Sequence, residues 1–250
     1  MYKQKPPVHH LLVENASWSE VLKVRHDGAS WDDLKTRTGL PALGMAIFNN
    51  SSVAVQLLLE LGAPAGPQKL YDGSDWSPVW ATLAKKNYRI LDLLLRGGAD
   101  PDEKHPTTGM TPLQIAAKAG DSEATLILCS HGSRPNSSAI PSPLWLWVRH
   151  LAPRQNPDTL KWSFPDPAPV LSLLSAGARI NESRHQKSHM GMGVIELAKR
   201  LWFEKPLSDN DHQTAKLILS AMERNALMER ASEKDEIRRK DNKGEGQIKL

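Results

Sequence analysis

The sequence predicts an all-α fold, a solenoid of stacked helix–turn–helix units with short turn or hairpin tips. Three observations predict it. A Gly-Ala or Gly-Ser pair recurs at Gly28-Ala29, Gly62-Ala63, Gly98-Ala99, Gly132-Ser133 and Gly177-Ala178, at spacings of 34, 36, 34 and 45 residues, the last being the same period plus an insertion. A short apolar run with helical spacing precedes each glycine, as in Leu91 with Leu93 to Leu95. Further upstream stand Ser77-Pro78, Thr111-Pro112 and Ser142-Pro143.

Each element follows from this punctuation. A Ser or Thr accepts a hydrogen bond from a free first-turn N–H, and Pro occupies the one helical position where its missing N–H costs nothing. A glycine after the apolar run closes the second helix, because it enters the left-handed conformation without a Cβ clash. Helices of about eight to ten residues do not persist alone in water. They become stable by burying their apolar stripes against neighbouring units.

Composition bounds the rest. The chain has 250 residues, 40% hydrophobic and 24% charged, enough for a sizeable core and close to the globular norm. A net charge of +4 is too modest to announce nucleic acid or an anionic membrane as the partner. One cysteine allows neither an internal disulfide nor a cysteine-based zinc cluster, which fits a reducing, cytoplasmic setting. The longest hydrophobic stretches, such as Leu144 to Val148, are too short to cross a membrane, and the polar, proline-broken start carries no secretory h-region.

The units resemble ankyrin repeats. The segment Gly109-Met110-Thr111-Pro112-Leu113-Gln114-Ile115-Ala116-Ala117-Lys118-Ala119-Gly120 resembles the family's G-x-T-P-L-H-x-A-A-x-x-G, with Gln114 at the usual His. Leu94-Leu95-Arg96-Gly97-Gly98-Ala99-Asp100-Pro101-Asp102 is similar to the L-L-x-x-G-A-D-P-N ending. Elsewhere the pattern loosens. Pro41-Ala42-Leu43 stands for T-P-L, and Trp147 falls where a small Ala belongs, so the frame slips or the packing opens there. A degenerate last unit begins near Val194 and continues through Ala215 to Leu219. The organisation expected is an N-terminal segment over 1–15 and a repeat domain over 16–222, with residues 16–29 as a half-repeat cap. A charged tail, helical then disordered, follows over 223–250, with order lost from Asn242. Within the tail, Asp235 with Arg239 and Glu236 with Lys240 have i,i+4 spacing that supports an exposed helix.

Residues 152–169 interrupt the fourth unit and hold Pro153, Pro157, Pro165, Pro167 and Pro169, which exclude a helix or an interior strand. This is either a binding excursion or a lid over an imperfect junction.

No catalytic constellation is legible, and the chain reads as a non-enzyme with no cofactor and no metal. Cys129 aligns with Leu59 and Leu95 and reads as a core residue, not a nucleophile. His185 and His189 have i,i+4 spacing but lack a third ligand, and Asp209, Asp211 and His212 read as a helix N-terminus. Gly191-Met192-Gly193 ends in Glu196 where a dinucleotide loop needs glycine, and neither a phosphate-binding G-x-x-x-x-G-K nor a G-x-S-x-G elbow occurs.

What the resemblance implies is binding to another protein through the concave face of the first helices, the turn tips and the insertion. The first-helix positions are Phe48, Lys85, Lys118, Arg149 and His150, with Leu197 and Arg200 less firmly placed. The tip positions are Tyr71, Asp75, Glu103, Lys104 and His105. Trp80, Trp145 and Trp162 with Arg154 and Lys161 complete the set, because Trp and Arg are favoured interface residues. Trp18, Trp31 and Trp202 read instead as plugs of caps and junctions. The expected role is a stoichiometric binder or inhibitor, for example an immunity protein that neutralises a toxin. The alternative is an adaptor with several partners. Nucleic acid is a weaker alternative, since residues 141–169 hold three basic and two acidic side chains.

Overall fold

The computed structural model describes residues 19, 23, 26, 30–31, 34–36, 38–136, 142–150, 152–180 and 193–245. The expected N-terminal segment and most of the expected half-repeat cap, including Trp18, lie outside the described residues, as do His185 and His189. The chain divides into two compact units, Met1–Pro112 and Leu113–Leu250.

In the first unit, helices α1 (Ala42–Phe48) and α2 (Ser52–Glu60) pair. A hairpin of β1 (Gln68–Lys69) and β2 (Asp75–Trp76) follows, and then the pair α3 (Pro78–Lys85) and α4 (Tyr88–Arg96). First helix packs on first helix, α1 on α3, and second on second, α2 on α4. The two strands run antiparallel with Gln68 opposite Trp76 and Lys69 opposite Asp75. The Lys69 ammonium lies 2.8 Å from the Asp75 carboxylate.

The predicted cap at Ser77 forms: its Oγ accepts from the Trp80 N–H at 3.3 Å. The second helices carry their own caps, Ser51 for α2 and Asn87 for α4. Pro41 precedes α1 without a side-chain cap, which is the physical meaning of its loosened motif. At the far end of α4, Gly98 stands at φ +90°, a conformation closed to most side chains, and lets the Ala99 N–H turn back to Leu94 O at 3.0 Å. Ala99 is 4% exposed, so the residue after the glycine must be small. The same bond recurs from Ala63 to Leu58 O, from Ser133 to Leu128 O and from Ala178 to Leu173 O. The core of this unit is the stripe Leu43, Ile47, Val55, Leu58, Val79, Ile90, Leu91 and Leu94, each at or below 1% exposure. Burying each Leu or Ile contributes about 1.5–3 kcal/mol, which together offsets the entropy of ordering such short helices.

In the second unit lie α5 (Pro112–Ala119, from its second residue), α6 (Ser122–Ser130) and α7 (Pro143–His150). After them come β3 (Arg154–Gln155), β4 (Trp162–Ser163), α8 (Ala168–Ser175), α9 (Val194–Phe203) and α10 (Asp209–Glu245). Helices α7 and α8 pair, α6 packs on α8 and α7 on α9. Ser142 caps α7 through the Trp145 N–H, and Asp121 caps α6 through the Ala124 N–H.

The insertion forms an antiparallel hairpin, Arg154 opposite Ser163 and Gln155 opposite Trp162. Its two strands are both edges and contain none of the prolines, in keeping with the exclusion of an interior strand. Asn156 Oδ1 accepts from the Asp158 and Thr159 N–H groups and shapes the turn. Ala168 and Pro169, assigned above to the insertion, belong to the first turn of α8.

Trp147 neither shifts the frame nor opens the packing to solvent: it is 1% exposed, with its ring 5.6 Å from that of His150. Room for His150 comes from Gly120, at φ +67°, where a Cβ would fall 1.8 Å from the imidazole Nε2. The predicted last unit is present as α9 and α10. Leu197 is buried in it at 8% exposure, so it faces the core and not a partner. Helix α10 carries its apolar face, Ala215, Ile218, Met222 and Ala226, past residue 222, and the Glu229 carboxylate accepts from the Ile180 N–H at 2.8 Å. The helix continues to Glu245, beyond Asn242 where the composition predicts loss of order, and the predicted Glu236–Lys240 pair forms at 2.7 Å.

Two outcomes follow. Gly120→Ala should destabilise the protein by about 2 kcal/mol or more, through both the positive φ and the collision with His150. Denaturant melts should show part of that loss recovered by adding His150→Ala. Truncation after Arg230 should leave the melting temperature nearly unchanged, whereas truncation after Asn225 removes Ala226 and Glu229 and should lower it clearly.

Candidate binding surface

Two surface regions, one in each unit, collect the residues singled out by sequence. In the first unit the β1–β2 hairpin, the first turn of α3 and the chain after α4 enclose a cleft of about 510 Å³. Its walls include Phe48, Trp76, Ser77, Trp80, Glu103 and His105, with Asp75 and Lys104 beside them. Local chemistry places each group. Ser77 fixes Trp80 by capping α3, and the His105 N–H bonds Met110 O at 2.9 Å, holding the imidazole against Trp80. The two rings meet edge to face, centroids 4.8 Å apart. Phe48 ends α1 half exposed, with the Lys85 ammonium 4.6 Å from its ring centroid and donating to Phe48 O at 3.3 Å.

Glu103 corrects an expectation. Read as an exposed tip residue, it is buried at 8% exposure, and its Oε2 has no hydrogen-bond partner. Burial pushes its carboxyl above the usual range; the Ser77 hydroxyl opposes that shift and the Asp100 charge adds to it. The indole N–H groups of Trp76 and Trp80 are also buried without an acceptor. Sequence reasoning missed Trp76; the signal available was a Trp directly before the Ser77-Pro78 cap, on the tip. Asp75 is exposed and engaged by Lys69, and Tyr71 is exposed but does not line the cleft.

In the second unit cations lie over aromatic faces. The Arg149 guanidinium is 5.5 Å from the Trp145 ring and the Lys205 ammonium 5.0 Å from that of Trp162. Lys205 was not singled out from sequence. Arg154 reaches His150 Nδ1 at 3.0 Å, and the His150 pKa is lowered, first by burial and then by the Arg154 charge. A neutral imidazole accepts that bond. Phe164 meets Trp202 edge to face at 5.3 Å, and Trp202 is fully buried, so the insertion is fastened at its base. Lys118 and Lys161 are exposed.

Cys129 is half buried, not a core residue. It lines a groove with Leu126, Ser130, Ser172, Ser175 and Ala176, and burial pushes its thiol up to about 11, so little thiolate exists near neutrality. Asp209 and Asp211 occupy the first turn of α10, where Ser208 Oγ accepts from the Asp211 N–H. Among the described residues no group of three or more His, Cys, Asp or Glu side chains is arranged to hold a metal ion.

Helix pairs closed by Gly-Ala turns and carrying two-residue hairpin tips define an ankyrin-repeat fold, and the comparisons agree. Residues 108–139 match the ankyrin repeat family model. Ankyrin repeat protein FPV014 of fowlpox virus is 29% identical over 122 residues, 48% of this chain and 27% of its own length. The chain thus spans about a quarter of that curated relative. An ankyrin repeat domain of Acinetobacter baumannii AYE superposes with a TM-score of 0.55 at 22% identity, covering 85% of this chain and 96% of the other. The ankyrin repeat protein EF0377 gives 0.54 at 18%, covering 88% and 98%. The chain has the ankyrin-repeat fold, as its motifs predict.

Glu103 gives a pH signature. Its raised folded-state pKa means that the folded chain holds the proton more readily than the unfolded chain, so this residue's contribution falls as pH rises through that pKa. Glu103→Gln should therefore stabilise the protein most at neutral pH. The gain should shrink on acidification toward the carboxylate range, read as the difference between the two proteins' denaturation midpoints.

Proposed function

We propose that the chain is a non-catalytic protein-interaction module that binds one partner stoichiometrically in the cytoplasm. In its most specific form it is an inhibitor that occludes its partner's working surface, as a toxin-neutralising immunity protein would. The observation that carries this reading is the placement of aromatic and cationic groups. Phe48, Lys85, Lys118 and Arg149 stand in the last turns of first helices, outside the buried stripes, with Trp80, Trp145 and Trp162 half exposed nearby. Aromatic side chains, with two rotatable bonds, lose little entropy on binding, and aromatic and Arg side chains dominate interface energetics. Repeat folds of this kind serve protein binding in many settings, so the fold supports a binder while leaving inhibitor or adaptor to experiment.

The test is to capture the partner with tagged full-length chain and titrate the untagged chain against the partner's activity. Loss of activity that is complete at one equivalent supports the inhibitor; unchanged activity with several partners captured replaces it with the adaptor. Trp162→Ala with Arg154→Ala should weaken binding at least tenfold while leaving the melting temperature nearly unchanged, because both side chains lie on the outer hairpin. Trp202→Ala should instead cost about 3–5 kcal/mol of stability.

A further inference from the structure

The cleft of the first unit has a chemistry that general protein binding does not explain. Isolated carboxylates are rarely buried without a partner, because removing the charge from water is not repaid. Glu103 is nevertheless more than nine-tenths buried in the wall of this cleft, and one of its oxygens is unpartnered. Phe48, Trp76 and Trp80 also line the cleft, and aromatic faces attract cations most strongly where water is excluded. The mouth already shows this preference, since Phe48 holds the ammonium of Lys85.

We propose that the cleft is a receptor pocket for a basic side chain, an arginine on an exposed loop of the protein partner, with the guanidinium against the indoles and paired with Glu103. The proposal rests on the protein-binding reading above and names the chemistry of one contact within it. Arginine fits better than lysine because its planar, weakly hydrated guanidinium stacks on indole faces and forks onto a carboxylate.

The other charges around Glu103 set the balance. Asp100 adds negative potential, Asp75 is engaged by Lys69, Lys104 and Lys85 oppose an incoming cation, and the His105 ring stands edge-on to Trp80. Lys104 and Lys85 are exposed, where solvent and salt screen them, while Glu103 acts from the interior with little screening. The interior carboxylate therefore decides the sign of the pocket. Acidification protonates Glu103, so the pocket should lose its preference for cations as pH falls.

The test uses the full chain and two probes, N-acetyl-arginine amide and its neutral isostere N-acetyl-citrulline amide. The readout is the indole N–H resonances of Trp76 and Trp80, assigned with Trp76→Phe and Trp80→Phe. Arginine should shift both resonances saturably, with citrulline binding about tenfold or more weakly. Glu103→Gln should remove the difference between the probes without lowering the melting temperature. Equal responses to both probes, no saturable shift with either, or an unchanged preference in Glu103→Gln would overturn the proposal. The comparison of probes on the unmodified chain stands even if a variant folds poorly. If arginine fails while partner capture persists, this pocket chemistry is wrong and the binding reading survives. If capture fails as well, both fall.

Discussion

The structure depends on one constraint: none of its short helices can stand without a neighbour. Among the described residues, every helix apart from α10 has seven to ten residues, and such lengths are marginal in isolation. Their stability comes from buried stripes such as Leu58 on α2 and Ile90 and Leu94 on α4, two helices that pack on one another, and those stripes align only if each helix ends at the same point in the repeat. The bond from the residue after each glycine back to the fifth carbonyl before it sets that point. It recurs at Ala63, Ala99, Ser133 and Ala178, all buried and all small. A larger residue at any of them would push the helix off its neighbour.

Because stacking consumes the stripes, what remains for function is the set of positions that stacking leaves out. These are the last turns of first helices, the hairpin tips and the insertion. Each is held by local bonds of the scaffold, so exposed aromatic and cationic groups are presented rigidly. Ser77 illustrates the economy of the arrangement: one side chain caps α3, orients Trp80 and reaches Glu103. The insertion is anchored on one side and open on the other. Phe164 packs on buried Trp202, while Arg154 and Lys161 stay in solvent.

Much of the fold was legible in the sequence because its signals are local. Glycines, capping Ser residues and N1 prolines act within one helical turn, and they placed the regular units and their ends. The failures are tertiary. Glu103 sits in the turn after α4, where a charged side chain is expected in solvent, yet it is buried in the cleft that Trp76 and Trp80 also line. Trp147 reads as a misfit until Gly120 is seen to leave room for His150. The length of α10 escaped because charge predicts exposure, not where a helix stops. In the candidate surface, Phe48, Trp80 and Arg149 were legible from register, whereas Trp76 and Lys205 become partners only through folding.

The most direct measurement is amide hydrogen exchange of the full chain, free and with its captured partner. The account predicts slowed exchange in residues 71–80 and 103–106 and around the end of α7 and the β3–β4 hairpin, with helices α2, α4 and α6 unchanged. Protection confined to those second helices, with the tips and first-helix ends unaltered, would contradict it.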